Sequence, residues 1–229
     1  MPVQAVILAA GMGTRLGRPW PKPLTPLSDG RTIMQQQIEN LRTAFPEVRI
    51  STVVGFKLEL ILEAFPDVSY VYNEVYDQTN TNRSLLKALR LSGEGGVLWM
   101  NGDVVFDPTV LTRVQDLIDA EQSFICVNTA VVGEEEVKYT VDADGFVDQL
   151  SKQVSDALGE AVGINYVSAS DKATLITRLA ECTDGDYFER GIELMIANDA
   201  ARVLPYDIKD LFAVEVDFEE DLTRANEHL

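Results

Sequence analysis

Residues 5–27 read AVILAAGMGTRLGRPWPKPLTPL, and this opening limits the folds available to the 229-residue chain more than any other stretch. Val3–Ala9 is a short apolar run of the kind found in buried strands. It opens into a loop holding Gly11 and Gly13, followed by Arg15 and then by Lys22 between Pro21 and Pro23. Glycine frees backbone N–H groups to wrap a phosphate chain, and Arg15 and Lys22 supply countercharge. Pro19, Pro21 and Pro23 restrict the backbone around Lys22 and hold it toward the loop. Charge fixed in advance costs little reorganisation in a transition state. For the glycines alone the competing reading is a tight strand-to-helix turn. The segment fits neither GxxxxGK[ST] nor GxGxxG, because Leu16 follows Arg15 and Gly17 comes one place late. With the arginine and the proline-flanked lysine included, it is read as a nucleoside triphosphate site.

The rest of the first hundred residues alternates strand and helix patterns. Strands are predicted at Val48–Val54, Val68–Tyr72 and Val97–Met100, and helices at Thr32–Phe45, Leu58–Phe65 and Asn82–Leu91. The first two helices stop at Pro46 and Pro66. Alternation of this kind predicts a mostly parallel sheet covered on both faces, with ligand-binding loops at the strand C-termini. The second half is less regular. A helix is predicted at Thr109–Ala120, a strand at Phe124–Val131, and a hairpin through Val137–Val141 and Phe146–Leu150 around Asp144–Gly145. A strand at Val162–Val167, helices at Lys172–Leu179 and Tyr187–Ala197, short strands at Val203–Pro205 and Phe212–Val216, and a helix at Phe218–His228 complete the chain. The expected architecture is one domain over 1–229, a Rossmann-like mixed α/β fold with a small β insertion, residues 130–190 forming the acceptor side.

Nineteen basic against 37 acidic residues give a formal charge of −18. Such a surface repels nucleic acid and anionic membranes, and no basic cluster offsets it. No run approaches a membrane span, and residues 1–10 carry no leader-like pattern, so the expectation is a cytoplasmic protein. Cys126 and Cys182 form neither a CxxC pair nor a metal cluster and are expected to be reduced, semi-buried thiols. Oligomeric state is left open, a homodimer being compatible with the sequence.

Asp103 follows the strand VLWM and Asp217 ends the run FAVEV. Two strand-end carboxylates converging on one point suit Mg²⁺, which prefers hard oxygen ligands; a turn is the plainer reading of Asp103 in its NGD setting. Between Asn73 and Ser84 lie Thr79, Asn80, Thr81, Asn82, Arg83 and Ser84, more polar groups than one helix cap needs, able to read a base or ribose. In the second half, Lys138, Lys152, Glu160, Asp186, Tyr187, Phe188 and Glu189 are candidates for the acceptor side. Carboxylates and an aromatic face suit a cationic group, although acidic residues also favour the first turn of a helix on structural grounds alone. His228 is the sole histidine and sits beside the terminus, so the chemistry is expected to run on positioning, metal and charge.

LAAGMGTRL with PKPL resembles the signature of the sugar-phosphate nucleotidyltransferase superfamily. NGD, SK (Ser151–Lys152), GEAVGI (Gly159–Ile164), YFE (Tyr187–Glu189) and VDFEEDLTRA (Val216–Ala225) extend the resemblance along most of the chain. TNTNRSL and the short length are most similar to the phosphocholine cytidylyltransferase branch. The resemblance implies a nucleotide-diphospho-sugar transferase-like fold and an enzyme that moves CMP from CTP to phosphocholine. Alternatives are 2-aminoethylphosphonate or another small alcohol phosphate as acceptor, a sugar-1-phosphate uridylyl- or thymidylyltransferase, and a non-catalytic nucleotide sensor. It implies that Leu8, Ala9, Ala10, Gly11, Met12, Gly13 and Thr14 cradle the nucleotide, that Arg15 and Lys22 hold the triphosphate, and that Asp103 and Asp217 bind Mg²⁺. Lys152, Glu160, Asp186, Tyr187 and Glu189 would then line the acceptor side. Asn165 after the GI motif is a departure that disfavours a large sugar.

Overall fold

The computed structural model describes residues 2–130, 132–133 and 136–229. Strands β1 (Gln4–Ala9), β2 (Arg49–Val54), β3 (Ser69–Tyr72) and β4 (Val97–Asn101) alternate with helices α1 (Ile33–Ala44), α2 (Leu58–Ala64) and α3 (Thr81–Leu91). Then come β5 (Val104–Phe106), α4 (Thr109–Arg113), α5 (Gln115–Asp119), β6 (Phe124–Asn128), β7 (Lys138–Val141), β8 (Val147–Ser151) and β9 (Gly159–Val167). The chain closes with α6 (Ala169–Glu181), α7 (Phe188–Asp199), β10 (Leu204–Asp207), β11 (Ala213–Glu215) and α8 (Glu219–Asn226).

The main sheet runs β10-β6-β9-β4-β1-β2-β3, with the β7–β8 hairpin joined to β9. β1 lies parallel between β2 and β4, while β9 is antiparallel to both of its neighbours β4 and β6. This is a Rossmann-like mixed α/β fold with a mostly parallel core sheet and helices on both faces. Period-two geometry explains the apolar run of β1. Ala5, Ile7 and Ala9 face the core shared with α1, α2, α4 and α5, and Val6, Leu8 and Ala10 face the core shared with α3, α6 and α7.

Local signals set most boundaries. Thr32 caps α1 by accepting from the Gln35 N–H, and Ser168 caps α6 by accepting from Asp171. The hairpin turns where expected, with Gly145 at φ +86°. Three expectations are corrected. The helix over Thr109–Ala120 is two short helices broken at Val114. The strand predicted to Val131 ends at Asn128, and Val131 itself lies outside the described residues. β5 was not anticipated at all, although it pairs with β11 in a separate two-stranded sheet. Cys126 and Cys182 are free thiols, but fully buried rather than semi-buried, and burial pushes both above the usual thiol range. Among the described residues no helix is long and apolar enough to cross a membrane.

Candidate active site

A cavity of about 250 Å³ opens at the C-terminal edge of β1 and β4. Leu8, Ala9, Gly11 and Gly13 line it from the first loop. Gly13 adopts φ +60°, and a Cβ there would sit 3.1 Å from the Lys22 Cβ, so any other residue would be strained and would press on the lysine segment. Lys22 starts a single 3₁₀ turn, Lys22–Leu24, that Pro21 introduces. Lys57 reinforces the proline segment by donating from Nζ to the Pro19 carbonyl at 2.5 Å.

Asp103 is presented by the NGD turn. The Gly102 N–H donates to the Leu8 carbonyl at 2.9 Å, and a Cβ on Gly102 would come within 2.7 Å of that same oxygen. Only glycine lets the turn pack against the end of β1. Asp217 lies two residues past β11, which ends at Glu215 rather than at Val216 as the sequence suggested. Pairing of β11 with β5 carries it to the site, and the Val216 N–H donates to the Asp103 carbonyl at 3.0 Å.

These segments meet at one ammonium. Lys22 Nζ donates to Asp103 Oδ2 at 2.8 Å and to Asp217 Oδ1 at 2.5 Å, and Arg15 donates to Asp217 Oδ2 at 2.5 Å. Burial opposes the charged form of Lys22, but Asp103 and Asp217 more than offset it and hold the amine above the ordinary lysine value. Lys22 therefore stays protonated across the working pH range.

Asp103 Oδ1 is buried and has no hydrogen-bond partner in the protein. An unmet carboxylate oxygen beside a second carboxylate fits a divalent cation. Among the described residues no cluster of three or more acidic, histidine or cysteine side chains forms a complete metal site. Asp103 and Asp217 are the residues that would hold such an ion, with oxygens from a bound ligand completing its shell.

The remaining lining includes Asn80, Thr81, Glu136, Val137, Lys152, Tyr187, Phe188, Glu189 and Glu215, the last beside Asn101 and Asp103. Phe188 is buried edge-on against Trp99 of β4, with ring centroids 5.6 Å apart at 88°, which fixes the start of α7 to the sheet. Lys152 places Nζ 4.8 Å from the Tyr187 ring centroid. Burial pushes Glu189 up to about 7, with Lys152 opposing and Glu136 reinforcing the shift. Burial likewise raises Glu136, aided by Glu160, and raises Glu215 well above the carboxylate range, aided by Asp103.

Several sequence candidates are not brought into the cavity. Thr79 and Ser84 both accept from the Asn73 amide, and Asn82 donates to the Thr183 carbonyl; they tie α3 to its neighbours. Arg83 pairs with Asp184 and donates to the Cys182 carbonyl. Asp186 accepts from the N–H and hydroxyl of Thr183 at 2.7 and 2.9 Å, so it closes the turn before α7. Glu160 accepts from the Gly133 N–H, and Lys138 sits opposite it on β7. Ala10 packs in the core with its carbonyl taken by Phe56, the Thr14 carbonyl accepts from Gly17, and Met12 faces outward. His228 stacks on Phe212. Conversely, sequence reasoning passed over Glu136, Glu215 and the role of Asn101, whose Nδ2 donates to Glu215 Oε1 at 2.9 Å. Glu215 carried a readable signal: a carboxylate inside an otherwise apolar strand.

Comparison with known proteins follows the same lines. The chain is 38% identical over 123 residues to CMP-5'-(3-aminopropyl)phosphonate synthase of Streptomyces rubellomurinus, covering 50% of this chain and 19% of that protein. It is 30% identical over 197 residues to the bifunctional protein GlmU of Burkholderia orbicola, covering 80% of this chain and 42% of that protein. The chain thus spans less than half the length of these curated relatives. Its fold matches CTP:phosphocholine cytidylyltransferase of Streptococcus pneumoniae, with a TM-score of 0.76 at 19% identity over 99% of both chains. It also matches a UDP-glucose pyrophosphorylase, with a TM-score of 0.79 at 14% identity over 99% of this chain and 98% of that one. These likenesses cross several branches of the nucleotidyltransferase superfamily and single out none. The MobA-like NTP transferase domain matches residues 5–183, and the chain belongs to that family.

Proposed function

We propose that the chain is a cytidylyltransferase that moves CMP from CTP to a small aminoalkyl phosphonate or phosphate and releases pyrophosphate. The observation that carries this reading is the meeting of Lys22 with Asp103 and Asp217 beside the glycine loop. The phosphonate acceptor takes precedence over phosphocholine. Its support is sequence identity of 38% to a CMP-aminopropylphosphonate synthase, whereas phosphocholine rests on a fold shared at 19% identity. The sugar-phosphate and sensor alternatives gain no residue-level support from the cavity.

In the proposed reaction an acceptor oxygen, already ionised, attacks the α-phosphorus in line. The new P–O bond forms as the bond to the β-phosphate oxygen breaks, and pyrophosphate leaves with the electron pair. No proton has to move, which suits a cleft with no histidine on its walls. Gly11 and Gly13 offer backbone close to the phosphates, and Arg15 and Lys22 hold negative charge, Lys22 nearest the reacting phosphorus. A divalent ion held by Asp103 and Asp217 would polarise the α-phosphate and screen the triphosphate.

The test is pyrophosphate release with Mg²⁺, comparing CTP, UTP and dTTP against 2-aminoethylphosphonate, phosphocholine and glucose 1-phosphate. Turnover with CTP and the aminophosphonate is the expected result. Nucleotide binding by calorimetry with no product from any pair would sink the reading in favour of a sensor.

A further inference from the structure

The cavity holds carboxylates that the transfer step does not use. Glu136 precedes β7, Glu189 lies in the first turn of α7 and Glu215 ends β11, so three separate elements deliver them to its lining. Glu189 is 8% exposed, and its Oε2 is buried with no hydrogen-bond partner in the protein. A lone buried acceptor of this kind carries the full desolvation penalty of its group, and more when charged. Keeping it in the wall of a ligand cavity implies that a ligand supplies the missing donor.

Two cationic ligands are chemically distinct here. A trimethylammonium group has no N–H and is held by open aromatic faces. A primary ammonium has three N–H donors and is held by carboxylate oxygens. Among the described residues the cavity is lined by two aromatic side chains, one buried and the other sharing its ring with Lys152. Phe188 is 1% exposed against Trp99, and the Tyr187 ring lies under Lys152 at 4.8 Å.

We propose that Glu189, assisted by Glu136 and Glu215, is the anchor for a primary ammonium at the far end of the acceptor, and that the cavity selects such acceptors against quaternary ones. The proposal rests on the nucleotidyl-transfer reading for the position of the acceptor, but it is a statement about binding. Burial raises Glu189 to about 7, a shift that an arriving ammonium opposes.

The experiment separates the two. Full-length protein carrying a non-transferable α,β-methylene CTP analogue is titrated calorimetrically with 2-aminoethylphosphonate, its N,N,N-trimethyl analogue and ethylphosphonate. The amine is expected to bind at least tenfold more tightly than either of the others, since a site built for N–H donors rejects ligands lacking them. Glu189→Gln should lower amine affinity about 10–100-fold and flatten the three-ligand ranking. Glu136→Gln should do the same more weakly, and both variants should keep their affinity for the CTP analogue, which establishes that they are folded. Equal binding of all three ligands, tighter binding of the trimethyl analogue, no binding of any, or an unchanged ranking in Glu189→Gln would each overturn the proposal. Amine-selective binding without pyrophosphate release from CTP would overturn the transfer reading alone and leave the anchor standing.

Discussion

On the nucleotide wall of the cleft, Lys22, Asp103, Asp217 and Arg15 hold one another at 2.5–2.8 Å. On the acceptor side, Glu189 keeps an oxygen without a partner, and Glu136 and Glu189 lie close enough to Glu215 to raise its proton affinity. The first wall is a set of matched charges whose net sign barely changes until phosphate arrives. The second is mismatched by itself, and its energy improves when a cation enters. A matched wall is prepared for geometry, whereas a mismatched wall is prepared for a partner. On the proposed reading, the pair suits an anionic nucleotide on one side and the cationic end of an acceptor on the other.

The largest expected effect comes from removing the centre of the matched wall. Lys22→Ala leaves Asp103 and Asp217 facing each other without their shared cation. It should lower kcat about 10³-fold, equivalent to about 4 kcal/mol of lost transition-state stabilisation. The check is steady-state kinetics beside thermal melting. A melting shift large enough to explain the lost rate would make Lys22 a structural residue and break the contrast between the walls.

Next in size is the packing that holds the mismatched wall. Phe188→Ala removes the ring that fixes the start of α7 to Trp99. It should destabilise the protein by about 3 kcal/mol in urea titrations. It should also raise KM for the acceptor more than KM for CTP. Equal changes in both would mean that the walls are not independently supported.

How much of this was readable beforehand divides along the same line. Strands and helices through β4 were legible because an apolar period of two and proline stops dominate that half. Lys22 and Asp103 were legible because glycine and proline mark the turns that present them. The acceptor side was legible only in part: Lys152, Tyr187, Phe188 and Glu189 were read and line the cavity, whereas Glu136 and Glu215 were passed over because nothing local says that their elements meet there. β5 is three residues long and follows directly on the NGD turn, so nothing in VVF announces that it pairs with β11 and brings Asp217 and Glu215 inward. Asp186 is the reverse case. Its setting in DYFE looked like a ligand for a cation, but a carboxylate two residues before a helix also closes a turn, and here Thr183 claims it.

Glu189 yields a third, smaller prediction with a definite sign. Its folded-state value of about 7 stands above the ordinary glutamate value of 4.5, so the unfolded chain releases this proton first as pH rises. Its contribution to stability is full below about pH 4.5 and is lost as pH rises toward 7. Glu189→Gln should match wild type near pH 4.5 and exceed it by on the order of 3 kcal/mol at pH 8, read from urea midpoints across that range. A more stable protein with a poorer acceptor affinity is the behaviour expected of a residue kept for binding. A variant less stable than wild type at pH 8 would place Glu189 among matched groups.

The smallest effect belongs to Asp186, and it sharpens the boundary of the acceptor wall. Asp186→Ala removes an acceptor for the N–H and hydroxyl of Thr183 in the turn before α7. Loss of such a turn contact costs about 1 kcal/mol. Because the side chain does not line the cavity, kcat/KM for CTP and for the acceptor should both stay within about twofold of wild type, a difference worth under ~0.5 kcal/mol. An acceptor-specific loss of tenfold or more would move Asp186 onto the mismatched wall. In that case the turn before α7 would have to open when ligand binds, exchanging the Thr183 contacts for the incoming cation.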